Sequence, residues 1–277
     1  MLKDRVITAV LLFPVGLAFI LLGSWPFTLF VALVLGVAAW EYARIFRRGI
    51  GTGYHPSLVV ITGGVVTLAL ARGFLDRGAQ MIYGPALLAL LVMISMAVHV
   101  FGYQRGHANS AVDFAIDLGG IAYLGWLGSY LISLRLLEQP SGQWALLLAL
   151  PAVWLADSAA YFFGRRYGKH KIAPRVSPGK SWEGYAAGIL FGAPLAGLLA
   201  LLYGQFDPAF TFARGALLGL LLAAITPLGD LGESLIKRQF GVKDSSNLLR
   251  GHGGVMDRID SWVWAAAISY YVMLLFW

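Results

Sequence analysis

Nine long apolar runs dominate this chain, roughly Val6 to Leu22, Phe27 to Ala43, Leu58 to Ala71, Ile82 to Phe101, Phe114 to Leu137, Trp144 to Phe163, Tyr185 to Tyr203, Gly215 to Leu228 and Trp262 to Trp277. About 20 apolar residues carry a helix across the hydrocarbon core of a bilayer, and most of these runs approach that length. The third and eighth are short for it. Several runs are apolar on every face, and a sheet made from them would leave backbone groups unsatisfied in lipid. The expected fold is therefore all-α, a polytopic integral membrane protein with about nine transmembrane helices. Composition agrees, because 58% hydrophobic residues against 13% charged exceeds what a soluble core requires.

Orientation follows from the cations, since cytoplasmic loops retain Lys and Arg. With the N-terminus inside, both charged loops, Gly164 to Gly184 and Gly229 to Asp260, fall on the cytoplasmic face, and Arg72, Arg77, Arg135 and Arg214 lie outside. The net charge of +7 then belongs mostly to the cytoplasmic side, where it attracts anionic headgroups and nucleotides rather than nucleic acid. The absence of cysteine excludes disulfides, thiolate metal sites and thiol catalysis. The first run follows Met-Leu-Lys-Asp-Arg, as a signal peptide would. Gly-Ser-Trp-Pro comes after it instead of a small-residue cleavage site, so it is kept as the first span. Gly188 with Gly192, and Gly215 with Gly219, have the small-xxx-small spacing of close helix contacts. No repeat or low-complexity linker divides the chain, which reads as a single membrane domain, 1–277, with scaffold helices in 1–110 and the catalytic part in 111–277.

Charge is concentrated in two segments of that second part. After Thr226 and Pro227, a helix would place Asp230, Glu233, Ser234, Lys237 and Arg238 at i, i+3, i+4, i+7 and i+8, on one polar face unsuited to lipid. For Glu233, Lys237 and Arg238 the plain alternative is a surface helix with i,i+4 pairing. Asp230, at the end of an apolar run, needs a partner or a function. The following loop carries Lys243, Asp244, Arg250, then Gly251, His252, Gly253 and Gly254, and then Asp257, Arg258 and Asp260. Glycines allow close backbone approach, and their N–H groups can form an anion-binding nest for phosphate. Carboxylates beside such a turn recruit Mg²⁺, which binds through one or two of them plus substrate phosphates. Together these residues point to phosphoryl or nucleotidyl transfer. The other segment, Asp157 to Gly184, has a carboxylate inside an apolar run and a Ser177-Pro-Gly-Lys180-Ser181-Trp-Glu183 turn that enters a helix at Ser181. Lys180 suits a phosphate oxygen, and Glu183 suits the helix N-terminus. Asp113 and Asp117 share a helical face without a clear assignment.

Ser234, Ile236, Lys237, Arg238, Lys243, Asp244, Ser246, Leu249, His252, Gly253, Gly254, Val255, Asp257, Arg258, Ile259 and Asp260 match in spacing the signature of the phosphatidate cytidylyltransferases, or CDP-diacylglycerol synthases, and the Asp157 to Gly184 segment also resembles that family. Arg250 stands where the family usually has Pro or Gly, and Gly179 where it usually has Lys. The resemblance implies a Mg²⁺-dependent reaction of CTP with phosphatidate in a dimeric inner-membrane enzyme. It implies metal ligation by Asp230 and Asp257 to one cation or a pair. Catalytic contacts would come from Lys237, Arg238, Lys243 and Arg258, with Asp244, His252 and Asp260 orienting the loop or metal water. Substrate binding would involve Asp157, Ser177, Lys180, Glu183, Ser234, Gly253 and Gly254. A related CTP-using lipid enzyme would share the metal site, whereas an ion-coupled transporter would use Asp113, Asp117 and Asp157 as a pathway and show inverted repeats, which are not seen.

Overall fold

A computed structural model describes residues 2–50, 55–138, 140–249, 251 and 253–277. The protein is an all-α polytopic membrane protein. Its helices are α1 (Leu2–Leu22), α2 (Ser24–Ile50), α3 (His55–Phe74), α4 (Arg77–Gln104), α5 (Ser110–Gly120), a π-helical stretch (Ile121–Leu127), α6 (Tyr130–Arg135), α7 (Gly142–Tyr167), α8 (Trp182–Tyr203), α9 (Phe212–Ile225), α10 (Pro227–Gln239) and α11 (Met256–Phe276). Among the described residues, eight helices are long and apolar enough to cross a membrane, and α1 adds the shorter apolar segment Phe13–Leu22. The short third run reaches 19 residues as Pro56–Phe74, and the short eighth run gains length by continuing through α10 to Gln239. The chain separates into two compact units, Met1–Ile132 with Gln239–Ile259, and Ser133–Arg238 with Asp260–Trp277.

In the first unit α2 packs on α3, and α3 on α4, α5 and the π-helical stretch. Gly125 permits part of that contact, since a Cβ there would stand 3.2 Å from the Val65 Cα. Buried polar groups pair between α4 and α5 and within the connection that joins them. Asp117 pairs through Oδ2 with His99 Nε2 at 2.9 Å and accepts from Ser95 Oγ at 2.9 Å, while Asp113 pairs with His107 at 2.9 Å. Asp117 thus braces α5 against α4, and Asp113 ties α5 to the loop that leads into it.

In the second unit α8 lies between α7 and α9. The small-residue spacing does what its pattern suggests: a Cβ at Gly188 would sit 3.1 Å from the Ala156 carbonyl, and one at Gly219 would sit 3.1 Å from the Ala193 Cα. Between α7 and α8 the chain makes a hairpin of two antiparallel strands, β1 (Lys171–Ala173) and β2 (Ser177–Ser181), where the sequence suggested only a turn. Ser181 caps α8 by accepting from the Gly184 N–H at 3.3 Å, the helix entry anticipated from Ser-Trp-Glu. The Thr-Pro break also appears. Thr226 separates α9 from α10, its hydroxyl donates to the Leu222 carbonyl at 2.8 Å, and Pro227 takes the first helical position, where no N–H is needed.

Candidate active site

The second unit contains a cavity of about 610 Å³ whose charged walls come from three elements. Helix α7 supplies Asp157, Tyr161 and Arg165, the hairpin supplies Lys171, Ser177 and Lys180, and the start of α10 supplies Asp230. Lys180 Nζ lies 2.8 Å from Asp230 Oδ2 and donates to the Pro227 carbonyl at 3.2 Å, which ties the hairpin to the first turn of α10. Ser234 donates to Asp230 Oδ1 at 3.2 Å, one turn along the helix. Asp157 lies within electrostatic reach of Lys180 and Asp230, and Asp260 within reach of Asp230, Lys237 and Lys180. One acid, Asp230, therefore pairs directly with the Lys180 ammonium, and Asp157 and Asp260 share its electrostatic neighbourhood.

Other sequence candidates in this unit have supporting contacts. Glu183 accepts from the His170 backbone at 3.2 Å and pairs with its ring Nδ1 at 2.6 Å, securing the start of the hairpin. Arg238 Nε donates to the Val176 carbonyl at 3.3 Å, joining the far end of α10 to the same hairpin. The alternative of a surface helix is corrected for two residues: Glu233 and Lys237 are buried and pair at 2.7 Å. A buried carboxylate and ammonium need each other, so the i,i+4 spacing here compensates desolvation rather than decorating an exposed face. Gly179 also lines the cavity, and a Cβ there would meet nothing within 4 Å.

The loop between α10 and α11 belongs to the first unit, where it folds on carboxylates. Asp257 Oδ2 accepts from Ser245 N at 2.9 Å, Ser245 Oγ at 2.9 Å and Gly254 N at 2.7 Å. Leu249 and Gly253 form an antiparallel bridge, and Gly253 has φ of +80°, a conformation that favours glycine. The expected phosphate nest is corrected in part: the N–H of Gly254 serves Asp257, while those of Val255 and Met256 serve Glu41. Lys243, Asp244 and Arg258 are exposed, available to a charged ligand. Arg250 and His252 lie outside the described residues.

Of the two metal candidates, Asp230 lies in the second unit and Asp257 in the first. No group of three or more His, Asp or Glu residues forms a cage among the described residues. Hard carboxylate oxygens suit Mg²⁺, and Asp230 already holds a cation in the form of the Lys180 ammonium. An ion held by one or two carboxylates, with phosphates and water completing its shell, needs no larger cage.

The sequence reading passed over Arg165 and Lys171 as site residues and missed Glu41 altogether. Glu41 was legible as the one carboxylate within the second apolar run, where an unpaired charge is costly.

Residues 3–276 match the model of the cytidylyltransferase family. The chain belongs to the cytidylyltransferase family. It is 37% identical to a phosphatidate cytidylyltransferase of Pseudomonas aeruginosa, over 99% of this chain and 97% of that protein. Proteins of the same name from Bacillus subtilis and Synechocystis sp. are 33% and 32% identical, covering 99% and 98% of this chain and 98% and 96% of their own lengths. As a family member the protein is a nucleotidyltransferase, and the transporter reading is set aside.

Proposed function

We propose that this cytidylyltransferase-family protein transfers the cytidylyl group of CTP to phosphatidate. A phosphate oxygen of the lipid attacks the α-phosphorus of CTP, the bond to the β-phosphate oxygen breaks, and CDP-diacylglycerol and pyrophosphate leave. The observation that carries this reading is the polar cavity in the second unit, where Lys180, Lys171 and Arg165 stand beside Asp157 and Asp230 at the ends of apolar helices. A headgroup can approach such a cavity while its acyl chains remain in lipid.

No covalent enzyme intermediate is required, because positioning and charge neutralisation supply most of the catalysis in such transfers. In this reading Lys180, Lys171 and Arg165 bind and orient phosphate oxygens within the cavity, and Ser177 contributes a hydroxyl. Arg238 and Glu183 hold the hairpin that presents Lys180, and Ser234 orients Asp230. Lys243 and Arg258 would add cationic contacts to substrate phosphates, and Asp244, Asp260 and His252 would orient the loop or metal water. Asp230 and Asp257 would be the Mg²⁺ ligands, for a single cation or the first of a pair. Bound there, Mg²⁺ supplies neutralisation of the triphosphate and of the departing pyrophosphate. The buried Lys237 acts through Glu233 and α10. The enzyme works as a homodimer in the cell inner membrane with its polar site on the cytoplasmic side, a placement supported by the distribution of Lys and Arg.

Paired lipid acceptors test the assignment. Purified protein given CTP and Mg²⁺ is expected to convert phosphatidate at least about a hundredfold faster than an isoprenoid ether lipid phosphate, a preference of roughly 2.7 kcal/mol. The opposite preference would move the protein to a different lipid within the same chemistry.

A further inference from the structure

Glu41 is fully buried in α2, yet its carboxylate joins the two ends of a loop some two hundred residues away. Oε1 accepts from Ser246 Oγ at 2.5 Å and from the Val255 N–H at 3.1 Å. Oε2 accepts from Ser245 Oγ at 3.1 Å and from the Met256 N–H at 2.8 Å. Ser245 and Ser246 precede the Gly-rich turn of this loop, whereas Val255 follows it and Met256 begins α11. One side chain thus takes donors from both ends of a segment that contains the Gly-rich turn. It also satisfies N–H groups at the start of α11, where a helix has no backbone acceptors of its own and where negative charge is favoured.

Glu41 and Asp257 are further connected through one hydroxyl, since Ser245 Oγ lies 3.1 Å from Glu41 Oε2 and 2.9 Å from Asp257 Oδ2. Ser245 has a single hydroxyl proton to give, so its orientation links the Glu41 clamp to the Asp257 contacts. Gly254 completes the fit. A Cβ at that position would clash first with Ser245 Oγ and then with both oxygens of Glu41, at 2.6 Å, so any side chain there would push the hydroxyl, the carboxylate and the loop apart.

We infer that Glu41 is a positioning residue that holds the Ser245–Asp257 loop in its nucleotide-competent form. The inference rests on the reading that this loop serves the CTP site. Four converging donors favour a carboxylate over an amide, because an amide presents one N–H₂ face toward groups that need acceptors. Glu41→Gln keeps the size and shape of the side chain but loses that match. The loop then samples released conformations, and CTP must select the competent fraction, which weakens apparent affinity in proportion to that fraction. At saturating CTP the loop is reordered, so turnover is largely preserved.

Two readouts test this, one of them independent of catalysis. In the naturally cysteine-free chain, a thiol introduced by Leu248→Cys, an exposed loop position, reports loop opening. Glu41→Gln is expected to raise its labelling rate and the KM for CTP each by about tenfold, equivalent to ~1.4 kcal/mol, with kcat within about threefold. The thermal midpoint in detergent should change little. Ser246→Ala, which removes one of the four donors, should give a weaker form of the same KM-selective signature. Faster labelling with an unchanged KM, or a fall in kcat alone, overturns the positioning role while wild-type synthesis of the cytidylyl lipid leaves the functional reading standing. If Glu41→Gln does not fold, the Ser246→Ala result decides by the same criteria.

Discussion

Lys180 offers the cleanest separation of stability from catalysis. Its ammonium lies 2.8 Å from Asp230, but the two side chains retain 24% and 39% of their exposure, so solvent screens the pair. An ion pair of that kind contributes about 0.5 kcal/mol, and the hydrogen bond to the Pro227 carbonyl adds about 1 kcal/mol. Lys180→Met preserves the aliphatic stem and should therefore cost no more than roughly 1.5 kcal/mol of stability. The catalytic expectation is different in scale, because removing a preorganised cation from a charged transition state costs on the order of a hundredfold or more in kcat, about 2.7 kcal/mol. Initial rates with phosphatidate and CTP, measured beside a thermal unfolding scan of the same preparation, separate the two effects. The half-saturating Mg²⁺ concentration should not rise, since Asp230 loses a competitor. Activity within threefold of wild type would refute the assignment of Lys180 to a substrate phosphate.

Three further outcomes are expected. Asp230→Asn and Asp257→Asn should each lower turnover by at least about a hundredfold, and the double variant little more, because residues serving one ion are non-additive; losses that simply multiply would separate the two acids. Gly179→Lys should fold normally, since a Cβ there meets nothing within 4 Å, and should lower the KM for CTP by about threefold through an added phosphate contact; a raised KM would show that the open space is needed for substrate. Thiols introduced at Ser177 and Leu248 should react with a membrane-impermeant reagent only from the cytoplasmic side and one at Gln80 only from outside, and any reversal would discard the proposed topology.

The helices were legible because apolar length is a one-dimensional signal: the runs beginning at Ile82, Trp144 and Tyr185 become α4, α7 and α8 with modest shifts at their ends. Local chemistry carried equally well where it is nearest-neighbour, as at the Ser181 cap and the break before Pro227. The β1–β2 hairpin was not legible, since Pro178 reads as a turn residue and the strands are brief. Glu41 escaped notice for a different reason. Its donors at Ser245, Ser246, Val255 and Met256 lie about two hundred residues on, and no periodicity links positions that meet only through folding. The Glu233–Lys237 pair shows the converse, where spacing revealed the partner but not its burial.

The most direct test of the central claim is the fate of the label when purified protein, Mg²⁺ and phosphatidate are given CTP labelled in either the α- or the γ-phosphate. The account predicts that α-label enters the lipid in a cytidylyl product, with γ-label released as pyrophosphate. Transfer of γ-label to the lipid, leaving CDP, would show a CTP-dependent kinase and contradict it.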